Sequence, residues 1–332
     1  MNSYTEPLAP TKVEVELTDG CNLSCQFCYN PARAQPAPLD RILHIFDVLK
    51  NSKVLEVVLT GGEPAEHTEF FSILEEAHRR FPRVMVQSNG TRFQGKALER
   101  LLQMKPFCVN FSLHGPQAIH DELTRTPGSF SLTCDALAGV VRGGVRVASN
   151  LVLTRLNCAP GILEETVSIL ASLGVKEMTA TRFAPIGLGK SKLDLCVPKG
   201  DLLRAIEMMQ RATRQRGLSF LLANATPMCQ LPQSLHCLAE RCSFGVDKWY
   251  IDAQGNLLTC GMSRVSLGNV LEQPLGEILR TSPRASAIRE MRHLPATCLL
   301  CAALEQCGGG CRAAALAYSG DFHGIDTLGP SN

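Results

Sequence analysis

The sequence predicts an α/β protein built on a parallel sheet, followed by a small cysteine-rich domain of α+β character, and three observations carry that expectation. Strand-like apolar runs alternate with helix-period segments from residue 12 to about residue 195. The unusual turns, a cysteine loop at 21–28, Gly61-Gly62-Glu63-Pro64 and Ser88-Asn89-Gly90-Thr91, all follow strands rather than helices. The 15 cysteines are segregated: three in residues 21–28, none in 29–107, and most of the rest beyond residue 229.

The elements follow in order. An alternating strand at 13–17 leads into the cysteine loop. Ile42, Ile45, Phe46 and Leu49 share a helix face behind Asp40 as N-cap, and an apolar strand at 54–60 runs into the Gly-Gly turn. Phe70, Phe71, Ile73, Leu74 and Ala77 mark the next helix, residues 84–87 the next strand, and Ser88-Asn89-Gly90-Thr91 its turn. Strands at 107–113, 145–154 and 177–183 then alternate with helices at 132–141 and 162–173; the last strand ends before Pro185-Ile186-Gly187. Six βα-type units predict a parallel sheet with right-handed crossovers, whose carboxyl-end face is where such folds bind ligands. An amphipathic helix at 202–216 follows, the rhythm stops near residue 225, and 249–259 reads as a hairpin leading into Cys260.

Composition excludes several classes of function. The 332 residues allow two domains, and 45% hydrophobic with 19% charged residues is ordinary for a globular chain. A net charge of +2 argues against nucleic acid as the main partner. No apolar run reaches membrane-helix length, so no membrane association is expected, and the opening residues lack a signal peptide. A cytoplasmic location and a reducing compartment are therefore expected, in which clustered cysteines hold metal or do redox chemistry.

Cys21, Cys25 and Cys28 supply three thiolates, enough for three irons of a cubane with the fourth left open; the spacing fits neither a closed zinc site nor a ferredoxin run. The segment Cys21-Asn22-Leu23-Ser24-Cys25-Gln26-Phe27-Cys28-Tyr29 resembles the cluster loop of the radical S-adenosylmethionine (SAM) enzymes. That resemblance implies an incomplete (β/α)6 TIM-like barrel of the radical SAM type at 12–195. It also implies a [4Fe–4S] cluster that chelates SAM and, once reduced, cleaves it to a radical that abstracts hydrogen from substrate. Gly61, Gly62, Glu63 and Pro64 match the family's glycine-rich element, where missing side chains let the backbone approach the methionyl part of SAM and Glu63 meets its amino group. Ser88, Asn89, Ser112 and Asn150 fall at positions similar to its ribose and carboxylate contacts. Taken without the resemblance, the Gly-Gly and Asn-Gly turns are ordinary turn chemistry, and Asn150 is equally a satisfied core polar residue.

The C-terminal cysteines carry a second pattern. Cys242-x12-Gly255-x4-Cys260 and Cys298-x2-Cys301-x5-Cys307-x3-Cys311 resemble the SPASM extension of radical SAM maturases. The resemblance implies one or two auxiliary [4Fe–4S] clusters in a domain at 229–332, joined to the barrel by a bridging helical segment at 196–228. Cys242, Cys260 and Cys311 would hold the first with an upstream cysteine, Cys229 or Cys237; Cys298, Cys301 and Cys307 would hold the second with one near the terminus. That last cysteine is missing: Gly329 stands in its place, leaving an open iron, a ligand such as Asp321, His323 or Asp326, or no second cluster. A zinc site closed by four cysteines is the alternative for this region.

Cys108, Cys134, Cys158 and Cys196 lie in apolar or helical contexts and read as small hydrophobes. His114 and His120 are either structural or on the active face. The whole resembles a maturase that oxidises or cross-links a peptide or protein substrate. The barrel begins within a dozen residues of Met1, so a separate leader-peptide recognition protein is expected, beside an electron donor such as flavodoxin or ferredoxin. Tetrapyrrole or small-cofactor maturation, and a non-catalytic iron–sulfur electron carrier, are the other readings; no catalytic acid or base stands out.

Overall fold

A computed structural model describes residues 10–30 and 36–329. Strands and helices alternate through β1 (Lys12–Glu16), α1 (Leu39–Asn51), β2 (Glu56–Thr60), α2 (Phe70–Arg80), β3 (Arg83–Ser88), α3 (Gly95–Met104) and β4 (Cys108–Ser112). They continue through α4 (Gln117–Thr124), α5 (Ser129–Arg142), β5 (Val147–Leu153), α6 (Pro160–Ser172), β6 (Glu177–Arg182), α7 (Lys199–Gln215) and β7 (Ser219–Leu222). The C-terminal part holds β8 (Lys248–Ile251), β9 (Asn256–Leu258) and β10 (Ser266–Asn269), then five short helices. These are α8 (Leu275–Thr281), α9 (Pro283–Arg289), α10 (Ala296–Leu299), α11 (Leu304–Cys307) and α12 (Arg312–Ser319).

One sheet carries these strands in the order β10-β9-β8-β1-β2-β3-β4-β5-β6-β7. β1 to β7 pair in parallel, giving the parallel sheet that the alternation predicts and the α/β partial TIM barrel that the resemblance implies. Each strand divides its side chains between two environments. Val13, Val15, Val57, Leu59, Val84, Val86, Val109 and Phe111 are buried in one apolar cluster with Ile42, Ile45, Phe46, Ile73 and Leu74 of the helices. Each such side chain stabilises the fold by about 1.5–3 kcal/mol. The intervening Lys12, Glu14, Gln87, Asn110, Ser112 and Asn150 face the central cavity. Period-2 alternation thus produces an apolar outer face beneath the helices and a polar lumen.

Three sequence expectations change. Helix α1 is capped by Pro38 rather than Asp40, which sits in the first turn and accepts from the Arg41 N–H at 2.9 Å. Helices α3 and α4 escaped the periodicity because α3 fully buries only Leu101 and α4 has eight residues. The 196–228 segment also contributes β7, whose four residues pair with β6, so it is not purely helical.

The C-terminal hairpin forms as expected, β8 and β9 being antiparallel, but it is not separate from the barrel. β8 pairs in parallel with β1, and Lys248 meets Glu14 at 2.8 Å while Arg264 meets the buried Glu16 at 3.1 Å. No helix among the described residues is long and apolar enough to cross a membrane.

Candidate functional site

The cysteine loop leaves the carboxyl end of β1 and is held by backbone contacts on three sides. The Gly62 N–H donates to the Thr18 carbonyl at 2.7 Å and the Glu63 N–H to the Gly20 carbonyl at 2.8 Å. Beyond the first cysteine, the Ser24 and Gln26 N–H groups donate to the carbonyls of Thr124 and Leu123 at the end of α4. The Gly189 N–H donates to the Cys28 carbonyl at 3.0 Å. At the far end of the loop, Asn30 donates to Glu16 at 3.2 Å. Burial and the neighbouring Asp19 push the Glu16 carboxyl up to about 8.

Glycines make this packing possible. A Cβ at Gly61 would lie 2.4 Å from the Thr18 carbonyl oxygen, and one at Gly62 2.3 Å from that of Gly20. In the fold the missing side chains admit the backbone of Thr18 and Gly20 and so fix the cysteine loop, while both glycines also line the cavity where the resemblance puts SAM. Gly187 does the same from the opposite side: its φ is +57°, and a Cβ there would sit 1.9 Å from the Tyr29 carbonyl oxygen. The Pro185-Ile186-Gly187 segment that ends the last predicted strand is thus a backstop for the loop.

Glu63 is fully buried and does not line the cavity, nor does Pro64. The Glu63 carboxylate accepts from Ser88 Oγ at 2.7 Å, the Asn89 N–H at 2.7 Å and the Ala65 N–H at 3.1 Å, tying the turn after β2 to the turn after β3. Burial pushes its carboxyl up to about 7 against these three donors. Asn89 carries the tie onward, donating from Nδ2 to Asn22 Oδ1 at 2.9 Å and reaching Cys21 Sγ at 3.9 Å. The Gly-Gly turn, the Asn-Gly turn and the cysteine loop therefore form one hydrogen-bonded unit.

A cavity of about 560 Å³ lies over the carboxyl ends of the strands. It is lined by Cys21, Cys25 and Cys28, by Cys242, Cys260 and Cys311, and by Gly61, Gly62, Ser88, Asn89, Ser112 and Asn150. Asn150 Oδ1 accepts from the Thr179 and Thr181 hydroxyls, both at 3.0 Å, which orients its amide nitrogen. His114 and His120 also line it. The His114 N–H donates to His120 Nδ1, the Val152 N–H donates to His114 Nδ1, and the two rings stack at 5.5 Å. Burial pulls His120 down to about 4 and His114 well below its ordinary value, so both rings are neutral at pH 7.

The C-terminal cysteines separate into two sets. Cys242, Cys260 and Cys311 form an inner set at the cavity; burial, then the charge of Cys260, pushes Cys242 up to about 11. Burial likewise takes Cys311 to about 12, opposed by Arg182. Cys298, Cys301 and Cys307 form an outer set that does not line the cavity. Cys229 lies with this outer set: burial, then the charges of Cys307, Cys298 and Cys301, raises its thiol. Cys237 is exposed and accepts from Gln210 Nε2 at 3.5 Å.

Among the non-cysteine candidates in the tail, Asp326 is buried and engaged. It accepts from Arg182 at 2.7 Å, from the Cys311 N–H at 2.9 Å and from the Leu328 N–H at 3.1 Å. Asp321 and His323 are exposed. Pro330, which closes the tail segment, lies outside the described residues, as do the first nine residues. Cys108 and Cys196 are buried, Cys134 and Cys158 half-buried, and none lines the cavity. Sequence reading placed Arg182 in a segment with Pro185, Gly187 and Gly189 but not in its buried pair with Asp326, and it missed the lumen residues Lys12, Glu14 and Lys248, because a charged residue alternating along a strand looks like a solvated face.

The donor chemistry fits iron–sulfur ligation, since thiolates are the ligands of such clusters and a cluster supplies the positive charge that buried thiols need in order to ionise. Two buried polar atoms at the cavity, His120 Nε2 and Asn110 Oδ1, have no hydrogen-bond partner among the described residues. Each orphan costs roughly 1–3 kcal/mol unless a ligand or water meets it. Among the described residues no group of three His, Cys, Asp or Glu is close enough to hold a single metal ion.

Residues 15–176 match the family model of the Radical SAM superfamily, and residues 242–307 match SPASM, an iron-sulfur cluster-binding domain. The AdoMet-dependent heme synthase of Methanosarcina barkeri is 23% identical over 345 residues, spanning 95% of this chain and 94% of that protein. The mycofactocin maturase MftC of Mycolicibacterium smegmatis is 27% identical over 334 residues, spanning 97% and 82%. In fold, the chain is similar to Streptococcus suis SuiB. The structure with S-adenosylmethionine superposes with a TM-score of 0.78 at 20% identity, covering 96% of this chain and 77% of SuiB. That with the precursor peptide SuiA gives 0.77 at 19%, covering 96% and 75%.

Proposed function

Because this chain belongs to the radical SAM enzymes that carry a SPASM domain, we propose that it is a maturase that binds SAM at the 21–28 loop and abstracts hydrogen from a peptide held in the same cavity. The observation that carries the reading is the single cavity onto which Cys21, Cys25, Cys28 and the inner set Cys242, Cys260 and Cys311 all open. A substrate in that space shares one enclosure with the radical site and the auxiliary site. The radical SAM cluster, when bound, supplies the electron that cleaves SAM and so the radical that takes the hydrogen; an auxiliary cluster supplies an electron acceptor.

The protein's own residues position these events. Gly61, Gly62 and Gly187 let three backbone segments close on the cysteine loop, and Glu63 with Asn89 locks that loop to the β2 and β3 turns. The loop is therefore preorganised before SAM arrives. Ser88, Asn89, Ser112 and Asn150 offer the polar wall for SAM, and Asn150, with its oxygen already committed to two threonines, presents its amide N–H groups. Neutral His114 and His120 add no charge to the wall, and the unpartnered His120 Nε2 and Asn110 Oδ1 are available to ligand polar groups. Phe27, Phe183 and Ile186 supply apolar cover that keeps water from a reactive radical.

A peptide substrate is supported by MftC and by SuiB, whose structure holds its precursor peptide. A leader-recognition protein and a one-electron donor such as flavodoxin or ferredoxin belong to the same proposal, as does a cytoplasmic setting. A tetrapyrrole substrate is the second reading, favoured by the near end-to-end match to the heme synthase. Anaerobic incubation of the reconstituted protein with SAM, dithionite and either candidate precursor peptides or a porphyrin, followed by tandem mass spectrometry, separates the two. Loss of two hydrogens from one peptide supports the maturase. Unmodified peptides together with processed side chains on a porphyrin substrate would replace it with the second reading.

A further inference from the structure

We infer that Cys229, rather than a residue of the C-terminal tail, completes the outer cysteine set with Cys298, Cys301 and Cys307, leaving the inner set at the cavity with three cysteines. The inference rests on the radical SAM and SPASM reading and assigns ligands within it. In the sequence pattern the outer set closes on a cysteine near the terminus, and an upstream cysteine joins the inner set. In this chain the upstream cysteine goes to the outer set instead, and no cysteine near the terminus takes its place at the inner one.

The geometry is local to one turn. After β7 the chain passes through Ala225 and Pro227 into a short 3-10 helix, Met228–Gln230. The Met228 N–H donates to Cys307 Sγ at 3.4 Å, which lays this turn against an outer-set sulfur. A Cβ on Gly310 would lie 3.0 Å from Pro227 Cδ, so the approach of the two segments depends on the run Gly308-Gly309-Gly310 that separates Cys307 from Cys311. The Cys229 thiol, next along the turn, feels the charges of Cys307, Cys298 and Cys301. These are the three thiols that the SPASM resemblance left without a fourth.

The other sources are occupied elsewhere. Both carboxylate oxygens of Asp326 are spent on Arg182 and two backbone N–H groups. Gly329, at the expected cysteine position, lies against the barrel: a Cβ there would be 2.8 Å from the Val197 carbonyl oxygen. Asp321 Oδ1 accepts from the His323 N–H at 2.8 Å on the surface. Cys237 bonds to Gln210 of α7 and to the Ser234 carbonyl. The inner set, with Cys229 drawn outward and Cys237 bonded to Gln210 of α7, keeps Cys242, Cys260 and Cys311 alone. A fourth ligand there would come from whatever occupies the cavity, and a substrate carboxylate, imidazole or thiolate has the right chemistry.

The test uses the full chain with Cys21, Cys25 and Cys28 all changed to Ala, which isolates the C-terminal sites. It is reconstituted anaerobically and read by iron and sulfide content and by low-temperature electron paramagnetic resonance after dithionite reduction. The parent should hold about 8 irons and show two reduced signals. Adding Cys229→Ala should lower the iron and remove or shift one signal, while Cys237→Ala should match the parent. Cys229→Ser should keep the iron and shift that signal, because a serine oxygen can replace the sulfur; misfolding would not give this signature. A Cys229→Ala protein that matches the parent, or a Cys237→Ala protein that does not, overturns the inference. A parent that binds no iron overturns the radical SAM and SPASM reading and the inference with it, whereas iron in the parent with a silent Cys229 overturns the inference alone.

Discussion

Asp326→Asn should cost more than any other single-atom-scale change in the C-terminal part. The Arg182 and Asp326 side chains are 2% and 0% exposed, and their charged atoms lie 2.7 Å apart. Arg182 also donates to the Ala225 carbonyl at 2.8 Å, so the pair ties the end of β6, the segment that follows β7 and the tail together. Replacing the carboxylate with an amide keeps the shape and one acceptor but strands a guanidinium in the protein interior. Breaking a buried pair from one side costs about 3–5 kcal/mol, because the remaining charge keeps its desolvation penalty and loses its partner. Urea unfolding of the reconstituted protein under anaerobic conditions measures this directly. Adding Arg182→Met to Asp326→Asn removes the stranded charge and should recover at least about 2 kcal/mol. A cost below about 1 kcal/mol for Asp326→Asn, or no recovery in the double variant, would refute the argument that this pair anchors the tail.

Three further outcomes rest on the same structure. Gly187→Ala should lose iron at the 21–28 loop and at least about 2 kcal/mol of stability, since its φ of +57° and its contact with Tyr29 both exclude a side chain; unchanged iron content would show that the loop does not need this backstop. Glu63→Ala leaves the Ser88 hydroxyl and the Asn89 and Ala65 N–H groups without their acceptor and should cost about 3 kcal/mol by thermal or urea unfolding, with weaker SAM binding by equilibrium dialysis. His120 is held down to about 4 from an ordinary 6.5, so the unfolded chain binds its proton first: the stability it lends is complete above pH 6.5 and is lost as the pH falls through 4. His120→Asn, which keeps an acceptor for the His114 N–H, should therefore lose about 2 kcal/mol less than the parent between pH 7 and pH 5, and equal pH slopes would contradict the buried neutral ring.

Local patterning made the core legible. Strands β1 to β5 announce themselves because their buried faces are mostly Val, Leu and Phe, and the turns that matter carry Cys, Gly and Asn at fixed offsets. The cysteine loop, the Gly-Gly turn and the Asn-Gly turn do meet at one cavity. What the sequence hid is long-range pairing. β7 is four residues with only Phe220 and Leu222 buried, too short for a period. The union of β8 with β1 depends on Glu14–Lys248 and Glu16–Arg264, pairs more than two hundred residues apart that look like surface charges when read singly. Spacing likewise could not say which cysteine joins which set, since Cys229 and Cys237 are both upstream of Cys242. Glu63 looked like a ligand contact because its motif suggested one; burial and three donors from neighbouring turns make it a strut.

The central claim is that the 21–28 loop of this chain cleaves SAM. The direct measurement is 5′-deoxyadenosine and methionine formed from SAM by the reconstituted protein with dithionite under anaerobic conditions, against Cys25→Ala carried through the same procedure. The account predicts both products from the parent and neither from Cys25→Ala. Equal product from both proteins, or none from a parent that holds its full complement of iron, would contradict it.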